Sequence, residues 1–183
     1  MRRDEPSSSH ERTPRSETAA DSERPVRPRG TAKDRALRLL GVRDRSRREL
    51  ERRLLRAGFE PEEVAAALED LTAVGLIDDE RFAAAVAEHA RSGRIAGRRG
   101  VMSSLLASGV DRETAERASG SLEDGETERA QALADRQAAK LRGADPEKAF
   151  RRISGMLARR GFAPSTVFSA ARRAIGNLGD DHT

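Results

Sequence analysis

Three copies of one short pattern limit how this chain can fold. In the first, Leu50, Leu54 and Gly58 are followed by Phe59, Pro61 and Val64. In the second, Val101, Leu105 and Gly109 precede Val110, Arg112 and Ala115; in the third, Ile153, Leu157 and Gly161 precede Phe162, Pro164 and Val167. The offsets are the same, and the copies begin 51 and 52 residues apart, a period typical of stacked repeat units. Apolar residues four apart share a helix face. A glycine, one apolar residue and a new helix start then describe a helix, a turn and a second helix. Three such units predict an extended helical array, a shape better suited to lying along a polymer than to enclosing a small substrate.

The rest of the chain fills in around these units. Thr31 caps a first helix carrying Ala36, Leu37 and Leu40, which Gly41 ends. Ser46 and Glu49 have the spacing of a capping box and open a second helix with Leu50, Leu54 and Leu55. Pro61 starts a third, whose Val64, Leu68, Leu71 and Val74 share a face before Gly75. Asp78 and Asp79 begin a second unit, with a helix through Phe82, Val86 and His89 and a basic turn between Gly93 and Gly97. Its next helix carries Val101, Leu105 and Leu106, and its last is capped by Asp111 and finishes near Gly120. In the third unit Glu126 leads a helix with Ala130, Leu133 and Ala134. Asp145 and Pro146 start one through Ile153 and Leu157, and Pro164 one through Val167, Ala171 and Ile175. Nothing alternates as a strand would. The expected fold class is all-α: an elongated, curved tandem array of three three-helix units at 31–75, 76–120 and 126–178. Each unit is too small for a stable core alone, so neighbours must pack on one another. Residues 1–30, rich in Ser, Pro, Arg and Glu, are expected to be a disordered tail.

Charge recurs with the repeat. Arg43, Arg45, Arg47, Arg48, Arg52, Arg53 and Arg56 crowd one stretch; the span 60–80 then holds eight acids and no base. Arg91, Arg94, Arg98 and Arg99 turn the chain basic again, and Arg151, Arg152, Arg159 and Arg160 form a third cluster. Three clusters in phase with the repeat predict a periodic positive track beside acidic faces.

Several chemistries are excluded. Without cysteine there is no disulfide, thiolate metal site or cysteine nucleophile. No phosphate-binding loop, HExxH or GxSxG is present, and His89 stands alone, so neither an enzyme nor a cofactor is expected. Asp78 and Asp79 read as a cap and helix-dipole partner rather than a metal site, with Phe82 and Ala83 packing inward. No apolar run approaches the ~20 residues of a membrane span, and the N-terminus lacks a signal-peptide stretch. A soluble, cytoplasmic monomer is expected. The helix–turn–helix pattern also admits a DNA-binding regulator. However, Asn177, Gln131 and Gln137 are the only amides able to read adenine, and none sits in a basic cluster. The arginines read better as phosphate contacts, with weak direct DNA binding. The five phenylalanines mostly fall at predicted core positions, which argues against base stacking.

With these features in hand, the chain resembles the RecX family of regulatory proteins over about 31–175. The likeness rests on Arg45 and Ser46 with Glu49 and Leu50, and on Leu54 to the pair Gly58 and Phe59. It continues through Gly75, Ile77, Asp78, Asp79, Phe82 and Ala83; Gly97, Leu105, Gly109 and Val110; and Leu157, Arg160, Gly161 and Phe162. The resemblance implies a curved array that binds along the groove of the RecA filament on single-stranded DNA. It further implies inhibition of RecA's ATPase, strand exchange and co-protease functions, and so a role in recombinational repair and the SOS response. Charge clustering makes Arg43, Arg45, Arg47, Arg48, Arg52, Arg53, Arg94, Arg98, Arg99, Arg151, Arg152, Arg159 and Arg160 the candidate contacts to filament or DNA. The motif residues Ser46, Glu49, Leu50, Gly58, Asp78, Asp79, Phe82, Gly109, Gly161 and Phe162 are expected to be structural.

Overall fold

The helix stops at Gly58, Gly109 and Gly161 are realised by the same hydrogen-bond arrangement. The computed structural model describes residues 30–94 and 96–180, excluding the side chains of 94 and 177–180. Apart from Gly30, the expected tail lies outside the described residues. Among these are nine α-helices and no strand: α1 (Ala32–Leu40), α2 (Arg47–Arg56), α3 (Pro61–Ala73), α4 (Asp79–His89), α5 (Arg98–Ser108), α6 (Arg112–Gly120), α7 (Glu126–Ala139), α8 (Pro146–Arg159) and α9 (Pro164–Asp180). A π-helical turn, Ala90–Arg94, extends α4 and contains Gly93 at φ 127°. No described helix is long and apolar enough to cross a membrane.

The repeated pattern is a Schellman turn. The amide of Phe59 donates to the carbonyl of Leu54, that of Val110 to Leu105 and that of Phe162 to Leu157. The intervening Gly58, Gly109 and Gly161 have φ of 87°, 89° and 74°, the left-handed conformation that only glycine adopts without penalty. The turn presses the apolar residue beyond the glycine back onto the leucine whose carbonyl it uses. Every apolar position of the pattern is consequently buried. Three core clusters result. The first joins α1, α2 and α3 around Leu50, Leu54, Phe59, Leu68 and Leu71, and includes Ile77. The second joins α4, α5 and α6 around Phe82, Leu105, Val110 and Leu122. The third joins α7, α8 and α9 around Leu133, Ile153, Leu157, Phe162 and Ala171. Burying one such leucine contributes about 1.5–3 kcal/mol.

Neighbouring units are joined by helix caps supplied across the junction. Gly97, the N-cap of α5, has no side chain to offer. Its amide donates to the Arg160 carbonyl at 2.9 Å, and that of Gly100 to the Gly161 carbonyl at 3.3 Å. The Arg98 amide donates to Glu126 Oε1 at 2.9 Å. Three amides at the start of α5, orphaned by helix geometry, are thus satisfied by the third unit. The first junction is built alike. Ser46 Oγ donates to the Ser108 carbonyl at 2.5 Å, the Arg47 amide donates to Asp79 Oδ1 at 2.8 Å, and the Arg48 side chain lies over Gly109. In both cases the start of one unit's middle helix sits on the glycine turn of the next. The third copy departs from this. α2 and α5 begin three residues before Leu50 and Val101, whereas α8 begins seven before Ile153. Ala149, the counterpart of Ser46 and Gly97, therefore lies inside a helix and is buried.

Several expectations are corrected. Ser46 caps α2 by accepting from the Glu49 amide, but the capping box is not closed, because the Glu49 carboxylate is taken by three arginines. The box forms instead at Thr31 and Asp34. Val74 is 69% exposed, since it is the C-cap of α3, where the helical face ends. Leu37, Leu55 and Leu106, on the outer sides of α1, α2 and α5, are 42%, 41% and 38% exposed. Phe168 is 53% exposed, in contrast to Phe59, Phe82 and Phe162.

Candidate interaction surface

The fold sorts the candidate arginines by what they already touch. Arg45 is removed from any contact surface: it is 7% exposed, with Nε donating to the Leu39 carbonyl and Nη1 to Glu49. Arg43 and Arg53 bind the same Glu49 oxygen at 2.7 and 2.9 Å. Arg151 is 3.5 Å from Glu147, and Arg98 is 2.9 Å from Glu123. The side chain of Arg94 lies outside the described residues. Arg47, Arg48, Arg52, Arg99, Arg152, Arg159 and Arg160 are exposed and have no ion pair.

Five of these arginines stand at the junctions, Arg47, Arg48 and Arg52 at the first and Arg99 and Arg160 at the second. Arg48 covers Gly109, and Arg52 Nη2 donates to the Ala107 carbonyl at 3.1 Å. Beside them Arg47 Nη1 reaches Thr72 Oγ1 at 3.1 Å. At the second junction, the hydrogen bonds of Gly97 and Gly100 bring the backbone of Arg99 beside that of Arg160, 61 positions away. Arg152 and Arg159, seven residues apart on α8, share a helix face. A further cluster escapes the sequence pattern. A cavity of about 360 Å³ is lined by Arg136 and Lys140 with Arg160, over Leu133 and Met156, and no carboxylate among the described residues lines it. Arg136 and Lys140 are single charges four apart on a mixed helix. Their spacing was the only signal, and it does not show that α7 faces the α8–α9 turn.

The two motif aspartates divide their work. Asp78 caps α4 by accepting from the Arg81 amide at 2.9 Å. Asp79 belongs to the junction. Burial, reinforced by the charges of Asp111 and Asp78, pushes its carboxyl above the ordinary value against the opposing hydrogen bond from Arg47. A folded-state pKa above the unfolded one means that the folded chain keeps a proton the unfolded chain releases. Asp79 therefore lowers stability at neutral pH, and this penalty fades as pH falls through the folded pKa. Asp79→Asn keeps an oxygen acceptor for the Arg47 amide. It is expected to raise the urea midpoint at neutral pH, with a gain that shrinks towards pH ~3, where the wild-type carboxyl is protonated in both states. A gain that persists at low pH would assign it to another cause.

Stacked three-helix units that exchange caps, with unpaired arginines gathered where they do so, define a helix–turn–helix repeat protein with a guanidinium-rich surface. The sequence families described as the first and third three-helix domains of RecX match residues 32–71 and 124–170. The regulatory protein RecX of Mycolicibacterium vanbaalenii is 36% identical over 148 residues, covering 77% of this chain and 80% of its own length. That of Xanthomonas axonopodis pv. citri is 37% identical over 159 residues, covering 83% and 96%. This chain belongs to the RecX family, whose matched relatives are named regulatory proteins. The solved RecX structure from Lactobacillus salivarius shares the fold, with a TM-score of 0.63 at 20% identity over 78% of this chain and 94% of that one.

Proposed function

We propose that this protein modulates the RecA recombinase by binding the RecA filament on single-stranded DNA in the cytoplasm. In this reading it restrains ATP hydrolysis, strand exchange and co-protease activity, and thereby recombinational repair and the SOS response. Membership of a family of regulatory proteins supports the reading. The structural observation that carries it is the gathering of unpaired arginines at both junctions. Each junction recurs with the repeat, so a cation cluster recurs with it, and a polymer of regularly spaced charge is a matching partner. Arg47, Arg48 and Arg52 would contact filament phosphates or carboxylates at the first junction, and Arg99 and Arg160 at the second. No step of covalent chemistry is required of the chain.

Titrating the protein into RecA hydrolysing ATP on single-stranded DNA tests the proposal. Inhibition well below one copy per RecA favours action at filament ends or on disassembly, and inhibition near stoichiometry favours occupancy of the groove. No effect on RecA from the same organism would refute it. The double variant Arg99→Glu/Arg160→Glu is expected to weaken filament binding and to reduce the salt slope by about 1 for each phosphate no longer neutralised. An unchanged slope would remove these two residues from the interface.

A further inference from the structure

We propose that the groove between α8 and α9 docks a peptide segment in which an apolar side chain stands beside carboxylates. The inference does not depend on the RecA reading. The groove has a volume of about 370 Å³ and is walled by Phe150, Phe162, Val167 and Phe168, with Ser154 among its lining residues and Arg99 at its rim. Three observations define its occupant. First, Phe168 is 53% exposed at the mouth of a concave apolar surface, where an aromatic ring gains by being covered. Second, Ser154 Oγ is shielded from solvent and has no hydrogen-bond partner. A buried hydroxyl left unpaired costs free energy, and rotation about χ1 would bring it from its shielded position to a peptide carbonyl or amide in the groove. Third, the charged groups that line or flank the groove among the described residues are cations. Arg99 carries no ion pair, the Arg172 guanidinium lies 6.0 Å from the Phe168 ring centroid, and no carboxylate among the described residues lines the groove.

Charge alone would also admit a nucleic acid, but the ring geometry favours a peptide. Stacking a base needs an open aromatic face. Phe168 already has Arg172 over its ring and makes an edge-to-face contact with Phe150, at 5.8 Å between centroids and 78° between planes. What remains open is a slot with aliphatic and aromatic walls, which takes a Leu, Ile or Phe side chain. The cations flanking it then take the acids on either side, as charge-assisted hydrogen bonds require. Arg99 reaches the rim only because the glycine contacts of α5 with the α8–α9 turn bring the second unit against the third, so the site spans both units.

Fluorescence anisotropy on the full chain tests this with a panel of labelled hexapeptides. Each carries Leu-Phe, Ile-Phe or Leu-Leu between two pairs of aspartates. The controls replace every Asp by Asn or the apolar pair by Ser-Ser, and hexathymidylate serves as the nucleic-acid probe. At least one acidic apolar peptide should bind with a Kd below ~100 μM while both of its control peptides fail. Phe168→Ala and Arg99→Glu, both at exposed positions, should each weaken it about tenfold or more, as removal of one good interaction would. Three results would overturn the proposal: no acidic apolar peptide binding better than its controls, binding indifferent to Phe168→Ala, or binding of hexathymidylate that Phe168→Ala abolishes. The last would make the groove a nucleic-acid site instead.

Discussion

Gly161→Ala is expected to destabilise the chain by at least about 3 kcal/mol and to loosen the second unit from the third. A β-carbon at this position would lie 2.1 Å from the amide nitrogen of Gly100 and 2.3 Å from its α-carbon. Both atoms are backbone, so no side chain can swing aside. The φ of 74° adds the left-handed penalty of ~1–2 kcal/mol. Relief of the clash separates α5 from the α8–α9 turn. It breaks the hydrogen bonds from Gly97 and Gly100, each contributing about 0.5–1.5 kcal/mol, and exposes orphan amides at the start of α5. Two sibling variants isolate the components. At Gly75, with φ 71°, a β-carbon meets nothing within 4 Å, so Gly75→Ala carries the left-handed penalty alone. At Gly109 its nearest neighbours are Cδ, Cβ and Cγ of Arg48; the outer two can swing aside, but Cβ moves only with the start of α2, so this variant also loosens the first junction. Urea denaturation should rank the losses Gly75→Ala, Gly109→Ala, Gly161→Ala in increasing order. A Gly161 variant no weaker than the Gly75 one would show that the junction adds nothing to stability. On the proposed function, Gly161→Ala also parts Arg99 from Arg160 and should weaken filament binding more than its effect on the third unit's own core would predict.

That ranking marks where the sequence is legible and where it stops. Leu54, Gly58 and Phe59 and their counterparts declare a helix stop because the signal is local. The left-handed glycine, the apolar residue after it and the leucine beneath all lie within six positions. Helix starts at Ser46, Asp78, Asp111 and Asp145 are readable for the same reason: each side chain caps an amide three residues on. Gly97 gives no such signal. Its helix is capped by Glu126, Arg160 and Gly161, and nothing near Gly97 in the chain points to them. The charge pattern is misleading where packing decides between identical residues. Arg45 and Arg48 are both arginines of the 43–56 cluster, yet one is enclosed by Leu39 and Glu49 and the other lies exposed across Gly109. Phe162 and Phe168 are six apart on the same turn and helix, but only the first is drawn inward by a Schellman bond. Placing an individual arginine or phenylalanine on the surface requires the long-range packing that local periodicity does not contain.

Glu49→Ala is expected to cost about 3–5 kcal/mol, the penalty for stranding a buried ion after its partner is removed. A single oxygen of Glu49 accepts from Arg43 Nη2 at 2.7 Å, Arg45 Nη1 at 2.5 Å and Arg53 Nε at 2.9 Å. Arg43 and Arg53 are half exposed, and water replaces their missing partner. Arg45 is 7% exposed and held by the Leu39 carbonyl, so of the three it has the least access to water when its partner is removed. Glu49→Gln retains an acceptor but not the charge, and should cost less than alanine. Arg45→Met combined with Glu49→Leu should recover most of the loss, since replacing both members of a buried pair by apolar groups removes the desolvation penalty as well. The pH dependence has the opposite sign to that of Asp79. Burial alone would raise the Glu49 carboxyl, but the guanidiniums of Arg53, Arg43 and Arg45 outweigh it and hold the group below its ordinary value. A lowered folded-state pKa means that its contribution is complete above the unfolded carboxylate value of about 4.3. That contribution is lost as pH falls through the folded pKa. The stability gap between wild type and Glu49→Gln should therefore be constant through neutral pH and close on strong acidification. A gap that does not close would mean that the Glu49 charge is not what holds Arg45 in place.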